Sequence, residues 1–321
     1  MARLSSVLLF ASLLAVQAHA GVFPEDPFTD KATGTTGAAF LKLPAGGRIP
    51  SLGGASAAAV DNSEAMFWNP AGLSRLEAAG RPDAAMGYSN LLETMYSGAL
   101  AYAHPLPEQK GVLGASFVYF SQSAIQGYST VGDPTSEFAP NDLALAFGYA
   151  RQLKRVRLGS SLKYIRSEID DASGSTFALD FGLQVERITD LGESPLDLGL
   201  AILNFGPPIK VGSMSDPLPF KAAVGALWHI SPRFNGLLDA NLPVDSDPYF
   251  CLGAEYNQPF GEGFGASVRG GYNMRYARDL EGFSGASAGL GVDLRRVRLD
   301  YAWVPFGDLG TTHRIAIGAR F

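Results

Sequence analysis

His229 and Ser231 stand two residues apart in Trp228-His229-Ile230-Ser231, a base and a hydroxyl from which a hydrolytic nucleophile can be built. Such a pair also needs an acid to orient the imidazole, and the neighbouring sequence supplies none. The other histidines offer less: His19 lies in the first twenty residues, and His104 and His313 fall at the ends of alternating segments. Cys251 is the single cysteine, so no Cys/His cluster has the spacing of a zinc site, and no internal disulfide is available. Glycine runs of the GxGxxG kind lie inside alternating segments instead of opening a helix, and do not read as phosphate loops. Catalysis, metal and cofactor are therefore not expected, and Cys251 reads as a small wall residue.

The remaining polar candidates are Lys163, Asp180, Glu255, Arg269, Asp293, Arg298 and Asp300, and each sits in a segment that alternates with period two. In Leu143-Ala144-Leu145-Ala146-Phe147-Gly148-Tyr149 every odd position is large and apolar and every even one is small. Fourteen such segments can be marked, at about 84–91, 94–104, 111–121, 141–152, 156–168, 175–187, 195–204, 219–230, 234–243, 248–258, 263–274, 283–295, 297–305 and 312–321. Their length of roughly ten residues is what a tilted strand needs to cross a bilayer.

A magnitude decides which face meets lipid. With the apolar face turned inward, the seven charged residues would project into hydrocarbon, at roughly 2–4 kcal/mol for a midplane Arg or Lys and less for an acid. Several such terms exceed the stability of an ordinary domain. Lys163, Asp180, His229, Glu255, Arg269, Asp293, Arg298 and Asp300 are accordingly assigned to the lumen, where a mutually neutralising polar interior is the plainest role for them.

Composition agrees with an all-β transmembrane antiparallel barrel: 46% hydrophobic, 11% aromatic and 17% charged residues, with 38 glycines. Residues 1–20 read as a cleaved secretory signal, with Arg3, the apolar run Val7 to Val16 and the small-x-small site Ala18-His19-Ala20. An uncleaved anchor is the alternative, but the run is shorter than the ~20 residues a spanning helix needs. Cleavage leaves 24 Lys plus Arg against 31 Asp plus Glu, a net of −7. That balance speaks against nucleic-acid binding.

An even strand number places both barrel ends in the periplasm, with short turns after even strands and longer loops after odd ones. The pattern holds after the third, fourth, seventh, eleventh and twelfth segments, and the first hairpin, with its short turn at Glu93, departs from it. The last segment aligns Ile315, Ile317 and Phe321 on one face and ends the chain on an aromatic. This resembles the C-terminal signal that the barrel-assembly machinery reads on outer-membrane proteins.

Residues 21–80 differ in kind. They contain Phe40-Leu41-Lys42, then Gly46-Gly47-Arg48, Gly53-Gly54-Ala55, Asp61-Asn62-Ser63-Glu64-Ala65 and Phe67-Trp68-Asn69-Pro70-Ala71-Gly72-Leu73. Asn69 to Gly72 fit a type I turn position by position. Such a turn redirects the chain into the first wall strand, and Phe67 and Trp68 before it can fill a lumen lined with small residues. A linker would be polar and lack these anchors.

In this order the motifs resemble the PorV/PorQ family of outer-membrane proteins, which belongs with the FadL-like transporters. The resemblance implies a barrel of about 14 strands (81–321) in a Gram-negative-type outer membrane, with an N-terminal lumen plug (21–80) built around Arg48, Gly53, Gly54, Phe67, Trp68, Asn69, Pro70, Ala71 and Gly72. Ile49-Pro50 departs from the small residues expected there. Two functions follow from the resemblance. The favoured one is a plugged conduit for small hydrophobic molecules such as fatty acids, and the alternative is a type IX secretion accessory that holds exported proteins at the outer membrane. Expected partners are outer-membrane lipid, the assembly machinery, and hydrophobic molecules or secreted proteins.

Overall fold

The computed structural model describes residues 21–92 and 94–321; the expected signal peptide and the turn at Glu93 lie outside the described residues. Fourteen strands form a closed antiparallel barrel: β1 (Asp83–Asn90), β2 (Met95–Pro105), β3 (Val112–Gln122), β4 (Asn141–Leu153), β5 (Val156–Ile169), β6 (Ala172–Leu191), β7 (Ser194–Phe205), β8 (Lys221–Ser231), β9 (Phe234–Pro243), β10 (Tyr249–Gly261), β11 (Phe264–Asn273), β12 (Ala286–Leu294), β13 (Val297–Pro305) and β14 (Thr311–Arg320). The seam is β1 against β14, in register from Asp83↔Arg320 to Asn90↔His313. Closure removes the exposed edges that an open sheet would present.

Alternation sorts the side chains as the energetics of lipid require. In β4, Leu145, Phe147 and Tyr149 are exposed, whereas Ala144, Ala146 and Ala150 are buried. Ile315, Ile317 and Phe321 also face outward. Phe321 stacks on Tyr102 at 6.4 Å and donates its N–H to the Pro82 carbonyl at 3.0 Å, tying the last residue across the seam. Among the described residues no helix is long and apolar enough to cross a membrane, so the strands are the crossing elements.

Connections at the end holding the barrel's termini are brief, such as Lys154-Arg155 after β4 and Arg295-Arg296 after β12. This is the periplasmic end. Opposite it, the connections after β3 and β7 carry small hairpins, Ile125–Tyr128 with Pro134–Phe138 and Ile209–Val211 with Met214–Asp216, and the one after β11 carries the helix Met274–Asp279.

The core lies inside the barrel and is shared between wall and N-terminal segment. Ile49, Leu52, Met66, Trp68, Leu73 and Leu76 pack with Val112, Leu227, Leu237 and Tyr249 of the wall. The segment folds as helical turns, among them Arg48–Ser51, Ala65–Trp68, Pro70–Ser74 and Arg75–Ala79, each too short to stand without the wall. Ile49 and Pro50, out of pattern in the sequence, are buried in the first of these. Gly72 does not lead straight into the wall: it lies within the 3₁₀ turn Pro70–Ser74, and the helix Arg75–Ala79 follows before β1. The detour lets Glu77 accept the N–H groups of Gly111 and Gln152, both at 3.0 Å, at the periplasmic turns.

Candidate functional site

What fills the lumen is held by three kinds of contact. The first is a charged ladder. Arg48 Nε and Nη2 each lie 2.9 Å from a carboxylate oxygen of Glu255, the planar two-bond geometry an arginine makes best. Glu255 is shared with Arg269 Nε at 2.7 Å, and Arg269 reaches on to Asp300. Arg298 then bridges Asp300 and Asp83, each at 3.5 Å. Asp83 accepts from Ser63 N–H at 3.0 Å and from its hydroxyl at 2.6 Å, returning the ladder to the segment. Buried charges so paired are costly to break, roughly 3–5 kcal/mol when one partner is lost.

The second kind caps backbone groups that would otherwise lie unpaired in the lumen. Asp239 of β9 accepts the N–H groups of Ser56 and Ala57 at 2.7 and 2.9 Å. Asn69 Nδ2 donates to the Ala57 carbonyl at 2.6 Å, while its Oδ1 accepts from Ala71 N–H at 3.1 Å and caps the 3₁₀ turn. Gln184 Nε2 donates to the carbonyls of Ala57 and Val60, both at 3.2 Å. Arg314 Nη1 donates to the Pro44 carbonyl at 2.6 Å.

Close approach is the third. A Cβ on Gly182 would run into Asn69 Oδ1, and one on Gly271 into Gly53 N. Gly53 itself has φ +69° and lies against the backbone of Tyr272, where a Cβ would come within 2.6 Å of both N and O. The small face of each strand is thus the surface on which the segment lies.

Of the residues named from the sequence, Arg48, Asn69, Pro70, Ala71 and Gly72 sit in the contacts just described or in the buried turn beside them. Trp68 is buried, whereas Phe67 is half-buried and lines an internal cavity of about 110 Å³ together with Phe40, Trp68, Lys221, Tyr249 and Cys251. The Lys221 ammonium lies 5.7 Å from the Trp68 ring centre, within range of a cation–π attraction. Gly54, φ +92°, borders the same cavity. Lys163 pairs with Asp180 at 3.2 Å and donates to Asn204 Oδ1 at 2.6 Å.

Asp293 differs from its assignment. It has inward parity in β12 but is exposed at the periplasmic rim, because the strand ends one residue later. His229 does have an acid: Asp197, from β7, lies 3.4 Å from Nε2, with Asn235 Oδ1 3.0 Å from Nδ1. The acid comes from 32 positions away across a strand pair, which local sequence could not display. Ser231 nevertheless accepts the N–H groups of Arg233 and Phe234 in the turn and is not turned to the imidazole. Asp83, Asp239 and Arg314, which the sequence reading did not single out, are among the most consequential anchors; their only signal was a charge on the small face of a strand.

The outer end of the segment is held more lightly. Phe28 N–H donates to the Val244 carbonyl at 2.8 Å, and Gly37 N–H to that of Pro217 at 3.0 Å. Asp245, buried in the β9–β10 connection, receives Lys42 Nζ and the Thr36 hydroxyl, both at 2.7 Å. Burial pushes its carboxyl up, but the Lys42 ammonium and Thr36 hydroxyl more than reverse this and hold it below the ordinary carboxylate range.

Comparison with known proteins gives both a family and a fold. The family described as "Type IX secretion system protein PorV" matches residues 26–228. The toluene transporter TbuX of Ralstonia pickettii superposes with a TM-score of 0.57 at 14% identity, over 86% of this chain and 98% of that one. The toluene transporter TodX of Pseudomonas putida gives 0.54 at 11%, over 85% and 95%. A FadL homologue of Pseudomonas aeruginosa gives 0.50 at 8%, over 87% and 98%. At these identities the likeness is one of fold. No curated protein matches the chain.

Proposed function

The chain belongs to the family of the type IX secretion system protein PorV, and from that premise we propose that it serves protein export as an outer-membrane accessory barrel, holding exported polypeptides at the cell surface. The observation that carries this reading is the family match, which runs from residue 26 through the N-terminal segment and the first seven strands to residue 228 within β8. The filled lumen supports it. Passage straight through would require undoing the Arg48–Glu255 pair and the Asp239 caps, whereas a barrel that presents a surface need undo nothing. Secreted proteins are then the partners, outer-membrane lipid surrounds the exposed apolar girdle, and the outward-facing Ile315, Ile317 and Phe321 serve assembly.

Passage of small hydrophobic molecules is the second reading. It draws on the cavity beside Phe67 and Trp68 and on the transporter fold. A clean deletion separates the two. Loss of exported proteins from the cell surface, with uptake of a labelled fatty acid and of toluene unchanged, supports export; the opposite result replaces it with transport.

A further inference from the structure

The chain carries a formal net charge of −6, yet the turns at the periplasmic end are basic. Arg151, Lys154, Arg155, Arg233, Arg295 and Arg296 are exposed there. Among the described residues none of the six is paired with a carboxylate; the ion pairs at this rim are Lys110–Glu108, Arg187–Asp190 and Arg320–Asp83. Glu193, Glu262 and Asp293 offset the six cations only in part.

Aromatic neighbours set the height of these cations in the wall. Arg295 Cζ lies 5.6 Å from the ring centre of Phe264, an outward-facing residue of β11. Arg233 Nη1 donates to Gln258 Oε1 at 3.1 Å, the same oxygen that accepts the hydroxyl of outward-facing Tyr256 at 2.9 Å. Arg151 follows Tyr149 by two positions in β4, on the outward parity of Leu145 and Phe147. Aromatic rings of this kind settle where hydrocarbon gives way to headgroups. A cation one step beyond them stands at the depth of the lipid phosphates, which a long arginine side chain reaches along the apolar surface.

Two of the turns hold a basic residue where the backbone favours another. Lys154-Arg155 joins β4 to β5 and Arg295-Arg296 joins β12 to β13, and their first residues have φ of +59° and +58°. Glycine, asparagine or aspartate takes that conformation more readily. Hairpin formation alone gives no reason for Lys154 and Arg295, whereas an anion outside the chain does.

We propose that the periplasmic rim is a binding site for the phosphate groups of anionic glycerophospholipids. Arg151, Arg233 and Arg295 reach them beside the aromatic girdle, and Lys154, Arg155 and Arg296 strengthen the positive field at the turns. The cations are spread around the ring, from the β4–β5 turn through β8–β9 to β12–β13, and they stand against lipid-facing rings. That distribution suits an annulus of lipid better than one acidic protein partner. The connections at the opposite end carry Asp133, Glu137, Asp170 and Asp171, so the preference belongs to one leaflet. The inference goes beyond the export reading and does not depend on it.

The test places the full mature chain in bilayers of phosphatidylcholine and phosphatidylglycerol, one of them brominated on its acyl chains so that it quenches tryptophan on contact. Trp228, outward-facing on β8 near the Arg233 turn, reports the rim, and Trp303, near the far end of β13, reports the opposite leaflet. Each is read alone, with the other tryptophan and Trp68 replaced by Phe. Trp228 should select phosphatidylglycerol about fivefold, the contribution of one cation near an anionic surface, and Trp303 should select neither lipid. Arg233→Gln should bring Trp228 to parity, Arg233→Lys should keep the preference, and about 1 M salt should abolish it. The salt measurement needs no rim variant, so it decides the matter even where Arg233→Gln fails to assemble. Equal quenching by the two lipids at Trp228, or the same preference at both tryptophans, overturns the proposal. So does a preference that survives both Arg233→Gln and salt. Binding of polyglutamate in phosphatidylcholine, without selection of phosphatidylglycerol, overturns it in favour of an acidic protein partner.

Discussion

Arg48 and Glu255, 207 residues apart, meet edge to edge through two hydrogen bonds of 2.9 Å. One comes from a four-residue helical turn that could not persist alone and the other from the middle of a wall strand, so the pair fixes the depth of the segment in the barrel. Arg48→Ala leaves Glu255 with Arg269 only. The barrel should stay heat-modifiable on gels, while residues 46–80 become accessible to protease and planar-bilayer recordings show openings absent from the parent. Arg48→Lys should fall between, since an ammonium cannot make the two-bond contact.

Glycines facing the lumen should behave unlike glycines facing lipid. Gly182→Val drives side-chain atoms into Asn69, an overpacking of roughly 1–3 kcal/mol, and should lower the unfolding temperature and expose the segment. Gly270→Ala, whose Cβ would meet nothing within 4 Å, is the control and should leave both unchanged. A destabilised Gly270→Ala protein would sink the distinction.

Both predictions bear on what the sequence could reveal. Strand number, register of the apolar face and even the ends of most strands were legible, because a lipid-facing row repeats with period two and any slip would expose charge to hydrocarbon. The second face was read only as small and polar. That Gly182, Gly271 and Asp239 form a bed for a particular backbone depends on pairing across strands, as does the Asp197–His229 contact. The route of residues 21–45 to the far end was not legible either, since Phe23, Phe28 and Lys42 find their partners in loops some two hundred positions away.

Acid should release the outer end of the segment. A carboxyl depressed by folding, as Asp245 is, contributes stability that is fully present above the ordinary Asp value near ~3.9 and lost as pH falls through the depressed one. Trp68 lines the cavity beneath. With Trp228 and Trp303 replaced by Phe, acrylamide quenching of Trp68 should rise as pH drops below about 4, in line with that linkage. Asp245→Asn should quench readily at neutral pH and lose the acid dependence; an unchanged profile would count against the pairing as the main tie of that end.

Phe67→Ala with Trp68→Ala removes two walls of the cavity while leaving the Asn69 cap in place. Loss of two large aromatics costs several kcal/mol, of the order of 3–5 for each when fully buried. The barrel should assemble in the outer membrane and leak small solutes in a liposome-swelling assay. Unchanged permeability would confine the two residues to packing.

At the other end of the chain, Phe321→Ala should reduce the fraction of protein that reaches the heat-modifiable form in outer-membrane preparations. The purified variant should fold in detergent almost as well as the parent, because the residue contributes little beyond its stacking on Tyr102 and one backbone bond. Equal yields in cells would remove Phe321 from any role in assembly.

The described chain starts on the extracellular side, descends the full lumen and only then enters β1 at the periplasmic end, so segment and barrel are interlocked as a rod is within a hoop. A cylinder already closed could acquire such an occupant only by admitting a chain end through its bore. A sheet still open between β1 and β14 can instead curl around a segment already bound to its small faces. The register pairs from Asp83↔Arg320 to Asn90↔His313 are the seam along which such a sheet would close.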